Sequence, residues 1–132
     1  MEDFMTSKSK LVAAILVSAA VSGAAVHGLH AQAKSSKAYT VTELQTLDAT
    51  LAADVAVRVA KAQEAAGGLN FKTGGGKVTA MEGTSPPQRV AITQWDSLEK
   101  AQAFFKSKAW NDITPDREKA LKTIRRYAVE ER

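Results

Sequence analysis

No cysteine occurs anywhere in the 132 residues, and the only histidines are His27 and His30. Without cysteine there is no disulfide, no thiolate nucleophile and no lipid-modified N-terminal cysteine. Both histidines precede Lys34, so the chain from that point on has neither residue. That excludes Ser-His-Asp and Cys-His nucleophilic chemistry, His-ligated haem and ordinary zinc sites. Any general acid or base there must be Asp, Glu, Lys or Tyr. No metal and no cofactor are expected. Aromatic residues are sparse at 6%, and no solenoid repeat or low-complexity tract is present.

What the N-terminus does contain is an order of residues. Lys8 and Lys10 precede an uncharged, mostly apolar run from Leu11 to about Val26, and the segment closes on Ala31-Gln32-Ala33. A positive start, an apolar run and small residues around a cut are the layout of a secretory signal peptide. Cleavage is expected after Ala33, with residues 34–37 as a short polar lead-in to a domain over 38–132. Glu2 and Asp3 are unusual at such a start, and Met5 opens a cleaner version. The alternative is an uncleaved anchor, the only route by which this chain would meet a membrane. Its run is at the short end of the roughly 17–25 residues needed to cross a bilayer, and Ser18, Ser22 and Gly23 dilute it. No arginine pair precedes the run, so general secretion is the expected route to the periplasm or the medium.

The exported part is about one hundred residues, enough for one small domain with one core. The first 33 residues carry two acids and two bases, so the net charge of +4 belongs to the domain. Much of it is late: Lys106, Lys108, Arg117, Lys119, Lys122, Arg125 and Arg126. Such a surface attracts small anions, or is a solvated basic face broken by Asp112, Asp116 and Glu118. No nucleic-acid motif interleaves aromatics with these bases, and no nucleic-acid partner is expected.

Hydrophobic patterning predicts the elements. Ala38 to Leu47 alternates and reads as a strand. Asp48 caps a helix from Leu51 to Ala66, whose buried stripe is Leu51, Val55, Val59 and Ala62. Gly67-Gly68 ends it. Leu69 to Thr73 reads as a second strand, interrupted at Gly74-Gly75-Gly76 and resumed over Lys77 to Glu82. A loop with two prolines leads to a strand over Arg89 to Trp95. Asp96 or Ser97 caps a second helix that buries Leu98, Ala101 and Phe105. Thr114-Pro115 reads as the cap and first position of a short further helix to about Leu121, and Ile124 to Val129 is the last strand. This β-α-β-β-α-β order is the ferredoxin-like arrangement: an α+β fold with a four-stranded antiparallel sheet and helices on one face. Apolar groups on both faces of the Arg89 to Trp95 strand point to sheet-to-sheet dimerisation.

In that order the chain resembles a bacterial family of unknown function, domain-of-unknown-function number thirteen-thirty, within the dimeric α+β-barrel superfamily. The marks are Lys37-Ala38-Tyr39, Asp48, Gly67-Gly68, Gly74-Gly75, Glu82-Gly83, Pro87 with Arg89, Ser97-Leu98-Glu99 with Ala101, Ser107 with Trp110, and Arg117. Thr73 stands where the family usually has a basic residue, Trp110 where it has Tyr, and Ala49 where a proline is common. The resemblance implies a homodimeric barrel and supplies no activity. Relatives in the superfamily include cofactor-independent monooxygenases, lactone isomerases and haem-handling proteins, and such activities do not transfer with a fold.

The candidate site residues follow from chemistry. Arg89, at the start of a strand, is an anchor for a carboxylate or a partner of Glu82 across the turn. Arg117 is expected in the first turn of its helix, where a cation opposes the dipole, as an anchor or as a partner for Asp112 or Asp116. Trp110, with Trp95, walls an apolar pocket or fills the core. Tyr39 and Glu43 share a face of the first strand and are a candidate acid–base pair. Gly75-Gly76-Lys77 lacks the rest of a phosphate loop and is followed by strand pattern, so it is set aside. The expected function is binding of a small anionic or aromatic molecule between sheet and helices. Two rivals stand beside it: a cofactor-independent enzyme of monooxygenase or isomerase type using Tyr39, Glu43 or Glu82 for proton transfer, and an envelope module that binds other proteins.

Overall fold

A computed structural model describes residues 35–132. The signal-peptide segment and its cut after Ala33 lie outside the described residues. The order is β1 (Ala38–Thr46), α1 (Ala49–Ala65), β2 (Leu69–Asn70), β3 (Arg89–Trp95), α2 (Leu98–Phe105), α3 (Lys108–Ala120) and β4 (Leu121–Glu130). The sheet runs β2-β3-β1-β4 and every pairing is antiparallel. This is the expected α+β, ferredoxin-like sheet, with the expected further helix in its second half. No described helix is long and apolar enough to cross a membrane.

Local chemistry sets the helix starts. The Asp48 carboxylate accepts from the Leu51 N–H at 2.9 Å, and the Ser97 hydroxyl accepts from the Lys100 N–H at 3.2 Å. Each satisfies one of the four N–H groups that a helix start leaves open. Asp96 is not the cap; it pairs with Lys37 and Lys100 instead. Gly67 takes φ +93° just past α1, a conformation that only glycine adopts cheaply. Gly68 is closed in: a Cβ there would stand 3.0 Å from Thr93 Cγ2 and 3.1 Å from the Trp95 ring.

Two expectations are overturned. Lys77 to Glu82 forms no strand, and β2 ends at Asn70. After Phe71, whose N–H reaches the Ile92 carbonyl, the chain turns on itself with Gly76 N–H bonded to Thr73 O. Three glycines carry a large entropy cost of ordering and Pro86-Pro87 remove two donors, so this stretch does not extend the ladder. Met81 is 93% exposed, as no strand residue beside a core would be. The last helix also begins six residues before Thr114-Pro115. Ser107 caps it, accepting from Trp110 N–H and donating to Phe104 O, and Pro115 lies inside it. Arg117 therefore sits in the last turn, where a cation complements the helix dipole rather than opposing it.

The core fills the space between the helices and one face of the sheet. Ala52, Val55, Ile113 and Ala120 form one cluster; Trp95, Ala101, Phe104 and Trp110 form the other. Val59 and Ala62, two members of the predicted stripe, pack against both. Among the described residues no helix covers the opposite sheet face. Strand register puts Leu69, Gln94, Tyr39 and Val129 in one row there, and Ile92, Val41 and Tyr127 in the next. Val129 and Leu69 are more than half exposed.

Candidate functional site

A cleft of about 180 Å³ lies between α1, the helix-side face of β1 and β3, and the end of α3. Its floor is apolar, with Ala52, Val55, Val59 and Leu44 among its walls. Three arginines reach it: Arg89, Arg117 and Arg126. Pairing register explains their convergence. Thr42 is flanked by Ala91 on β3 and Arg126 on β4, and Leu44 by Arg89 and Thr123. Arg89 and Arg126 thus lie diagonally across β1 on the same face. Arg117 comes in from the end of α3 and reaches the Thr123 hydroxyl at 3.4 Å.

Trp110 is 6% exposed and holds two of these side chains. The Arg117 guanidinium carbon stands 4.4 Å from its ring centroid and that of Arg126 stands 4.8 Å away. Arg126 also lies 4.5 Å from the Phe105 ring and donates from Nε to Thr42 Oγ1 at 3.0 Å. Stacking on aromatic faces favours a guanidinium by about 0.5–2 kcal/mol, more as water is excluded. Stacking engages the faces of the two groups, while their edges donate only to neutral hydroxyls, Arg117 to Thr114 and Thr123 and Arg126 to Thr42. Burial pushes Arg126 down to about 10, helped by the Arg117 cation beside it. Burial also lowers Arg117, whose Nε is buried and meets no acceptor. Among the described residues no carboxylate lies within ion-pair distance of Arg89, Arg117 or Arg126.

The expected partners are elsewhere. Asp116 pairs with Arg58 at 2.8 Å and Asp112 with Lys108, so neither serves Arg117. Glu82 is exposed in the loop after β2 and forms no ion pair with Arg89. The proposed acid–base pair does not form either. The Tyr39 hydroxyl donates to Glu131, which holds the phenol above its ordinary value. Both Glu43 oxygens accept from Arg125, at 2.7 and 2.9 Å. By strand alternation, Tyr39 and Glu43 face away from the cleft. Of the six candidates, the structure brings Arg89, Arg117 and Trp110 together, and leaves Tyr39, Glu43 and Glu82 outside. The residue that sequence reasoning missed is Arg126. Its signal was the tandem Arg125-Arg126 in a strand, where alternation must turn one arginine toward the helices.

No group of three or more His, Asp or Glu side chains able to hold a metal occurs among the described residues. The Arg-lined cleft walls also offer no carboxylate, lysine or tyrosine. Chemically, the site can neutralise negative charge and bury an apolar body.

Fold and sequence together identify the class and then the family. The fold is that of the ferredoxin-like α+β domains. Residues 37–131 match the model of the domain of unknown function DUF1330, and the chain belongs to that family. A crystal structure of a protein of unknown function from Rhodopseudomonas palustris is similar at 11% identity and TM-score 0.57, covering 81% of this chain and 89% of that one. A cofactor-independent oxygenase from Streptomyces nogalater, SnoaB, is similar at 8% identity and TM-score 0.50, covering 74% and 95%. No curated protein matches by sequence.

Proposed function

We propose that the domain binds a small anionic organic molecule in the cleft between sheet and helices. The observation that carries this reading is the pair Arg117 and Arg126, stacked on Trp110 at an apolar cleft with no carboxylate opposite them among the described residues. A desolvated cation without a partner is costly and persists where a ligand supplies the charge. The apolar floor takes the ligand body, and the guanidinium forks orient its acidic group. Proton-transfer chemistry is the less favoured reading, because Tyr39, Glu43 and Glu82 all lie away from the cleft. The test is calorimetry of the purified protein with benzoate and with its neutral counterpart benzamide. Benzoate should bind and benzamide should not. Equal binding of both removes the reading, as does failure of every anionic probe, monoanion or dianion, to bind.

Two further features belong to this proposal. The domain acts outside the cytoplasm, on the strength of the residue order over 1–33. Mass spectrometry of protein recovered from the periplasm should find Lys34 at the N-terminus, and a mature chain retaining Leu11 to Val26 would sink the idea. The domain also pairs with a second copy through the sheet face that carries Val41, Ile92, Tyr127 and Val129. Among the described residues no helix lies over these side chains, and a small core gains stability by association. Sedimentation should show a dimer at micromolar concentration; a well-folded monomer across that range counts against it.

A further inference from the structure

Two guanidinium groups share the Trp110 ring, and a third, Arg89, lines the same cleft from β3. A neutral occupant would seal these cations in with nothing opposite them. A single negative charge would answer one of the Trp110-bound pair and leave its neighbour without a counter-charge in a partly buried site. The cleft also limits size. An apolar cavity of about 150 Å³ holds one benzene molecule, and this one is about 180 Å³. Resting on the anion-binding reading above, we infer that the ligand carries two negative charges on an apolar body of about one six-membered ring. One fork comes from Arg117 at the end of α3 and the other from Arg126 on β4. An aryl phosphate and an aryl dicarboxylate share that chemistry, and Arg89 lines the same cleft.

The test compares matched probes on the purified protein by calorimetry: benzoate, phthalate, phenyl phosphate and inorganic phosphate. Phthalate or phenyl phosphate should bind about tenfold to a hundredfold more tightly than benzoate, the effect of one further charge-assisted hydrogen bond. Which of the two binds better distinguishes the sources. Inorganic phosphate, lacking the ring, should bind more weakly than phenyl phosphate. A phosphate monoester gains its second charge near pH 6, while Arg126, pushed down only to about 10, keeps its charge across pH 5 to 7.5. Phenyl phosphate affinity should therefore rise by up to about tenfold over that range, with benzoate flat. In Arg117→Gln the preference for the dianion should fall to about one. The pH series needs no variant and stands if that protein does not fold. Benzoate binding as tightly as both dianions, or inorganic phosphate matching phenyl phosphate, overturns the inference and leaves the proposed function intact. Failure of every anion to bind removes both.

Discussion

Trp95→Ala should cost about 3–5 kcal/mol of folding stability, the usual range for deleting a fully buried indole. Trp95 is 1% exposed and packs its ring against Phe104 at 5.2 Å and Phe105 at 6.4 Å. Its Nε1 donates to Thr40 Oγ1 at 3.1 Å, one of the few polar contacts between sheet strands inside this core. The alanine would leave a cavity beneath α2 and a buried Thr40 hydroxyl short of a donor. A domain of this size has about 5–15 kcal/mol in total, so much of the stability goes. Urea denaturation followed by circular dichroism, at one fixed protein concentration, should show the midpoint collapse. Trp95→Phe keeps the aromatic contact and loses the N–H, and should cost about 1–3 kcal/mol. A loss below about 1 kcal/mol in Trp95→Ala would mean that the core is not organised around this side chain.

Arg126→Ala should weaken benzoate binding about tenfold to a hundredfold, because a charge-assisted hydrogen bond contributes roughly 1.5–3 kcal/mol. The same change should leave the melting temperature unchanged or raise it. The sign follows from protonation. Arg126 has a folded pKa of about 10, below the ordinary arginine value, so burial disfavours its charged form. That penalty is fully present below about pH 10 and is relieved only as pH rises through it, so it applies at neutral pH. Removing the charge removes the penalty, against the loss of stacking on Phe105 and Trp110. A purely structural arginine predicts the reverse: lower melting temperature and unchanged affinity. Arg126→Lys should restore binding only in part, since an ammonium lacks the planar fork. Calorimetry and thermal melts on the two variants decide between the readings.

Much of the architecture was legible in the residues. The Leu51, Val55, Val59, Ala62 stripe, the Asp48 cap and the Gly67-Gly68 stop define α1 through short-range effects: side-chain spacing, one capping hydrogen bond and one positive φ. Strand alternation around Trp95 and the family marks over residues 37–131 define the sheet. The stretch over Lys77 to Glu82 misled because alternation marks a strand only when an edge is available to receive it. Thr114-Pro115 misled because proline is common at the first helical position, and nothing local shows that Ser107 already caps the helix.

The sequence by itself determined the element order, the family, and the absence of cysteine and histidine chemistry from residue 34 onward. Only the tertiary structure decided which charges meet. Candidates spread from Tyr39 to Arg117 had to be sorted by strand face and register, and those depend on long-range pairing rather than on neighbours in the chain. Pairing turned Glu43 and Tyr39 away from the cleft and gave Asp116 to Arg58. It set Arg126 against Thr42 and Trp110. The cleft arginines lack an acidic partner among the described residues because folding placed the candidate carboxylates elsewhere.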